Sequence, residues 1–376
     1  MKYSLVLFIL IILCTMPVPG SQDHLINIGK NARTVHNPGQ PLYGTFQPEI
    51  EENILFSEAA DFLIGDICDI AINGEGKLFM SDYRQVYCIS PNEKSIKKIG
   101  GPGPGPGEYS YPAVFCFGQN DDLFVQDSYR IHHYDGTGKF LEHIAILFKS
   151  SYRQGTFYVD FIGNLYGLKT RFLNNTLQVE LNKFNSKGRY IKTFAVFNEE
   201  SSSVNRARGG GFIRSSVYHE YMEDVYFVPV LNSQLCFGRN TDYKLYISDL
   251  EGNVDKVIDV AETSWKINSS ELKIFRDKYG EDFRELKFPA TRPFFRSLLS
   301  DEKGRIYVVR VNPVGPEKKN VTMDIFNKYG QYFYRVSLRY FPEIIKNGMV
   351  YVIDRNDPDC LKIKKLIIKN YSALKF

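Results

Sequence analysis

Five arginines stand at matching places in this chain. Arg84, Arg130, Arg171, Arg310 and Arg355 each follow, by three to six residues, the aromatic of a short apolar run: Phe79, Phe124, Tyr166, Tyr307 or Tyr351. A guanidinium offers a planar fork of donors that matches a carboxylate or phosphate, so a ring of them would bind an anionic ligand. The same residues would equally tie each turn to a neighbouring segment or a nearby Asp, because structural ion pairs gather charge as readily as binding sites do. Asp82, Asp127 and Asp354 occupy the third position after the aromatic in three of these runs. Three carboxylates could hold calcium, which takes oxygen ligands, although nothing resembling an EF-hand loop is present. Arg206, Arg208 and Arg214 lie in a Ser-, Arg- and Gly-rich stretch, 198–216, and would add positive charge beside the others.

Several other chemistries find no support. His132 and His133 are adjacent, so in a strand they point to opposite faces and cannot chelate one metal. With His143 and His219 the remaining histidines of the repeats, a zinc site is hard to build. Cys68, Cys88, Cys116, Cys236 and Cys360 are an odd, scattered set without a CxxC pair, which is neither a disulfide framework nor a zinc cluster. Gly101-Pro102-Gly103 superficially suggests a nucleotide loop, but three prolines remove the N–H groups that would cradle phosphate and no Gly-Lys-Ser/Thr follows. There is no Gly-x-Ser-x-Gly elbow. The net charge, 47 − 43 = +4 over 376 residues, is too small for a nucleic-acid protein.

The elements that must position these residues are β-strands. Aromatics make up 14% of the chain, with 28 Phe and 25 Tyr against one Trp, and flat side chains suit pleated surfaces. A unit of turn residue, apolar residue and aromatic recurs as Gly76-Lys77-Leu78-Phe79, Asp122-Leu123-Phe124, Gly163-Asn164-Leu165-Tyr166, Asp224-Val225-Tyr226, Gly304-Arg305-Ile306-Tyr307 and Gly348-Met349-Val350-Tyr351. The aromatics are 45, 42, 60, 81 and 44 residues apart, near the period of a four-stranded propeller blade apart from two insertions. A hairpin turn follows in most copies, for example Asp135-Gly136-Thr137-Gly138 and Asn327-Lys328-Tyr329-Gly330. The sixth copy lacks its outer strand, and the alternating stretch from Phe46 to Phe56 is spare. An open edge invites aggregation, so this stretch is expected to close the ring. Lys2, ten apolar residues from Leu5 to Cys14 and a small-residue exit form a secretory signal peptide over 1–20, cleaved near Gly20. Leu13 before Cys14 argues against lipid anchoring.

The run from Ile99 to Pro112, with Gly103-Pro104-Gly105-Pro106-Gly107-Glu108-Tyr109, resembles the link between blades of NHL-type repeats. The chain as a whole resembles the exported bacterial six-bladed β-propellers, most clearly in blades one, two and five; blade four departs most. The resemblance implies an all-β fold and an export route, and no defined reaction. The expected organisation is a signal peptide (1–20), an extension (21–45) and a six-bladed β-propeller of four-stranded blades (46–376). Two inserts, 198–216 and 261–293, decorate one face together with the turns that carry the arginines. Leu272, Phe275, Tyr279, Phe283 and Leu286 give the second insert the spacing of an amphipathic helix between blades 4 and 5, ended by Pro289. The expected function is an exported, non-catalytic binding scaffold presenting that face to a protein, peptide or glycan partner, without a cofactor unless calcium binds. The alternative is a metal-dependent hydrolase or lyase with its site at the tunnel mouth.

Overall fold

The computed structural model describes residues 25–57, 65–90, 95–127, 130–146, 157–173, 176–199, 204–206, 212–214, 219–286, 288–315, 320–356, 361–371 and 374–375. The expected signal peptide, Arg208 and Cys360 lie outside these residues. Among the described residues no helix is long and apolar enough to cross a membrane.

One turn, used repeatedly, explains the sequence repeat. Asp301 accepts hydrogen bonds from the N–H groups of Lys303 and Arg305, both at 3.0 Å, and from the Tyr307 hydroxyl at 2.8 Å. Asp160 does the same with Ile162, Asn164 and Tyr166. The Asp, the glycine three residues on and the tyrosine six residues on are therefore one hydrogen-bonded unit, an Asx turn whose acid is capped by a phenol from the outgoing strand. The hairpins between third and fourth strands repeat the Asx turn with Asp135, Asn185, Asp249 and Asn327 accepting backbone N–H groups. At Gly188 the glycine is needed twice over. Its φ is +73°, and a Cβ there would lie 2.0 Å from the Ala145 carbonyl oxygen of the preceding blade.

The hairpins build six sheets of four or five strands. Blade 1 covers 69–99, blade 2 112–145, blade 3 157–199, blade 4 225–261 and blade 5 295–338, and blade 6 begins at Pro342. First strands of neighbouring blades pack on one another around the axis. Phe and Tyr side chains fill the seams, as where Tyr226, Tyr243 and Phe295 of blades 4 and 5 meet. The ring closes as expected. Ile50–Ser57 pairs antiparallel with Lys362–Ile368 and becomes the outer strand of blade 6.

Blade 4 is out of register with the repeat read from the sequence. Asp224-Val225-Tyr226 opens its first strand, Val225–Val230, whereas every other repeat aromatic lies on a second strand. The second strand is Gln234–Arg239, reached through Leu231 and Asn232 in left-handed conformation without a glycine. Arg239 faces Val225 as Arg310 faces Phe295. Three residues back from the arginine, Cys236 takes the place Tyr307 holds in blade 5. The spacings of 60 and 81 then become 236 − 166 = 70 and 307 − 236 = 71.

Residues 25–46 do not stand apart from the propeller as an extension; they add a fifth strand to three blades. Leu25–Ile26 pairs with the outer strand of blade 3, Ile28–Pro38 runs parallel to Val254–Ala261 of blade 4, and Thr45–Phe46 runs parallel to Tyr332–Leu338 of blade 5. The chain thus passes over the rims of blades 3, 4 and 5 before completing blade 6. Buried Asn37 fastens it. Its amide donates to the Gly330 carbonyl at 3.0 Å and its Oδ1 accepts from the Tyr332 N–H at 2.8 Å.

The second insert is helical over Ser269–Tyr279, with Asn268 and Glu271 forming a capping box, and continues as a 3-10 segment, Gly280–Glu285. The helix therefore stops at Gly280 rather than at Pro289. Phe275 and Leu286 are buried, and Phe275 packs with Tyr221 and Val311. In the first insert the described residues form a small ribbon, Val204–Arg206 against Phe212–Arg214.

Asn37→Ala would leave the buried Tyr332 N–H unpaired and loosen the strap on blade 5. The expected loss is about 1–3 kcal/mol of unfolding free energy, read from urea denaturation.

Candidate functional site

In a blade whose strands run up and down, the turns between second and third strands share a face with the links between blades. The arginines and aspartates of the repeat end at that face, but the structure treats them differently. Arg310 is half-buried between blades 4 and 5. Its Nη1 is 3.0 Å from Glu262 and 3.2 Å from Asp324, and its guanidinium lies 4.9 Å from the Tyr243 ring centre. Burial disfavours its charge, but Tyr243, Asp324 and Glu262 together hold it firmly protonated. Arg355 donates to the Ile67 carbonyl at 2.6 Å, tying blade 6 to the segment entering blade 1, and its Nη1 is 3.9 Å from Glu343. Arg130 lies 3.5 Å from Asp127, and exposed Arg171 lies 3.7 Å from Glu180. Arg84 alone of the five has no hydrogen bond or ion pair through its side chain among the described residues, and it is exposed. Arg206 and Arg214 belong to the ribbon of the first insert.

Arg239 supplies the sixth member of the set. The sequence repeat missed it because Cys236 replaces the aromatic that marks the other copies. Its guanidinium reaches the Asn198 carbonyl at 2.6 Å and Glu223 at 2.7 Å, linking blade 4 to blade 3.

The three aspartates each hold backbone or side-chain donors in place. Asp82 accepts from the N–H groups of Gly65, Arg84 and Gln85 and from the Tyr87 hydroxyl. Asp127 accepts from Ser110 and Tyr111 N–H, at 3.0 and 2.9 Å, and so fixes the end of the glycine-proline link. Asp354 accepts from Asn356 and pairs with Lys364 at 2.9 Å. Among the described residues they are not brought together into a metal-binding group. The glycine-proline link folds on itself. Gly101–Pro102 pairs with Glu108–Tyr109, and Glu108 accepts the Gly105 N–H at 2.8 Å.

A pocket of about 690 Å³ opens where blade 1 meets that link. Arg84 and Lys98 line it, together with Asp66, Tyr83, Pro102 and Tyr111. The two tyrosine rings lie 4.8 Å apart, tilted by 32°. Tyr83 sits at φ +65°, a strained backbone for a bulky residue, in the Asp82 turn; Tyr111 is placed by the Asp127 carboxylate. Burial pushes the Cys68 thiol up to about 12 although the Tyr83 hydroxyl hydrogen-bonds to it, so this cysteine is no nucleophile at neutral pH. The described cysteines, Cys68, Cys88, Cys116 and Cys236, are all unbridged. Spacing reveals Arg84. Lys98, Tyr83 and Tyr111 carry no periodic signal and were not singled out.

Burial alone would raise the Asp127 carboxyl. The His132 ring and the Ser110 and Tyr111 N–H groups outweigh it and hold the group down at about 2. A depressed folded pKa stabilises above the unfolded value and is lost as pH falls through the folded one. Stability from this latch is therefore expected in full above about pH 5 and to fade towards pH 2, by about 2 kcal/mol. An Asp127→Asn variant, melted across that range, should lack this part of the acid transition.

Residues 54–279 match the sequence profile of a 6-bladed beta-propeller family. No relative was found among curated protein sequences. Among solved structures, one similar chain is a protein from Bacteroides fragilis assigned as exported, 12% identical, with a TM-score of 0.55 over 90% of this chain and 100% of that one. Another is virginiamycin B lyase from Staphylococcus aureus, 11% identical, with a TM-score of 0.43 over 85% of this chain and 99% of the other. Likeness at such identity concerns the fold alone. With six closed sheets and a profile match over more than half its length, the chain belongs to the 6-bladed beta-propeller family.

Proposed function

We propose that the chain is an exported, non-catalytic binding scaffold that presents its arginine-bearing face to an anionic protein, peptide or glycan partner. The pocket between blade 1 and the glycine-proline link carries this reading. It joins two cations without partners among the described residues, Arg84 and Lys98, to the paired rings of Tyr83 and Tyr111. Flat rings supply contact area with little side-chain entropy to lose, and free cations supply charge that turns productive only when a partner arrives. Its volume is in the range of ligand pockets, and its walls come from the segment entering blade 1, the Asp82–Gln85 turn and the glycine-proline link. The fold itself does not argue for any particular partner.

No observation favours the metal-centred alternative. The Asp82 and Asp354 oxygens already accept hydrogen bonds that hold their own turns, and those of Asp127 hold the glycine-proline link.

A thermal-shift panel of acidic oligosaccharides, neutral oligosaccharides and short acidic peptides tests the proposal. A ligand at about 100 times its Kd adds roughly 2.7 kcal/mol, enough to move Tm by degrees. The expected result is a shift with an acidic probe that disappears in high salt and falls at least about tenfold in affinity in an Arg84→Ala/Lys98→Ala variant of unchanged Tm. An undiminished shift in that variant would overturn it.

A further inference from the structure

A guanidinium that is partly removed from water normally holds an acid or a carbonyl, because an unpaired charge in a dry site is costly. Arg296 departs from that rule. It is half-buried, its Nε is shielded from solvent without a hydrogen-bond partner, and among the described residues the side chain makes no hydrogen bond or ion pair. Its guanidinium carbon lies 4.5 Å from the centre of the Phe341 ring, a cation–π distance that supplies no hydrogen-bond acceptor to its edge donors.

The position of Arg296 is built rather than accidental. Phe295 pairs with Arg310 and Ser297 with Val309, so Arg296 is the extra residue of a β-bulge at the head of blade 5's first strand. Glu343 occupies the same place in blade 6, between Pro342, paired with Val352, and Ile344, paired with Tyr351. Bulges re-aim side chains, and they recur next to functional sites. Asp69 heads the first strand of blade 1 and accepts from the N–H groups of Ile70 and Phe115. Three consecutive blades thus bring an Arg, a Glu and an Asp to the inner ring at the arginine-bearing face.

We propose that the heads of the first strands of blades 5, 6 and 1 form a second site, in which Arg296 takes an oxyanion, carboxylate or phosphate, from solvent at that face. The neighbouring acids suit such a guest. Burial, against the charges of Arg355 and Arg296, leaves Glu343 at about 7. Burial, opposed by the Phe115 N–H and reinforced by Glu343, leaves Asp69 at about 8. Each is thereby able to be a neutral donor near neutral pH. The charged groups facing Glu343 are Arg355 on its own blade, Arg296 on blade 5 and Asp69 on blade 1. A bound anion favours the protonated form of Glu343, so binding strengthens as pH falls through about 7. This site shares no residue with the pocket at Arg84 and stands or falls separately from it.

Calorimetric titration of the purified chain with sulfate, whose charge is constant between about pH 6 and about pH 8, tests the site; acetate and inorganic phosphate then separate carboxylate from phosphate recognition. One saturable site is expected, tighter at the lower pH, and weakened at least about tenfold in Arg296→Lys, which keeps the charge but loses the fork. Arg296→Ala should abolish it, Glu343→Gln should weaken its pH dependence, and Arg84→Ala/Lys98→Ala should leave it unchanged. No saturable binding of any of the three anions to the wild type, or equal affinity in Arg296→Lys, overturns the proposal. Should Arg296→Ala fail to fold, the Arg296→Lys titration decides.

Discussion

Everything in this molecule depends on one pairing between distant parts of the chain. The outer strand of blade 6 is Ile50–Ser57, and its partner Lys362–Ile368 lies more than 300 residues away. Without it blade 6 would present an open strand edge, and the blade 6–blade 1 seam would lose Phe56, which packs with Tyr351, Ile353 and Ile363. A ring needs every seam. The 690 Å³ pocket rests on blade 1, and the Arg296 site spans blades 5, 6 and 1, so both stand on the closure.

Much of this was legible in the residues because the repeat is a hydrogen-bonded unit and not merely a composition. The acid, the glycine and the aromatic of the Asp160 and Asp301 turns each have a separate physical duty, so they recur at fixed spacing. Where a duty is met otherwise, the signal disappears. Blade 4 turns on Leu231 and Asn232 in left-handed conformation and puts Cys236 where an aromatic was expected, and its register was misread by one strand. The strap over 25–46 gave no warning either, since its strands are held by backbone pairing and by Asn37 rather than by an apolar alternation.

The charges divide along similar lines. Arginines at one position of the repeat meet different surroundings: Arg310 and Arg239 bridge blades, Arg355 reaches a carbonyl of the segment entering blade 1, and Arg84 faces solvent. Spacing identifies position and cannot identify partners, because the partners come from other blades. Arg296 and Glu343 were silent for a further reason. A bulge is a fault in pairing register, and nothing in either residue's immediate neighbours announces it.

The closing strand also sets an order of events. Ile50–Ser57 is made more than 300 residues before Lys362–Ile368, so the earlier strand waits for the later one. A contact of such sequence separation forms slowly, because the entropy of closing the loop is lost before the contact compensates. Until then the early strand and the strap can only rest on incomplete neighbours. Closure is accordingly a late event in which strands from opposite ends of the propeller lock together, and without the hairpin that carries Lys362–Ile368 the molecule would be a string of blades rather than a smaller ring.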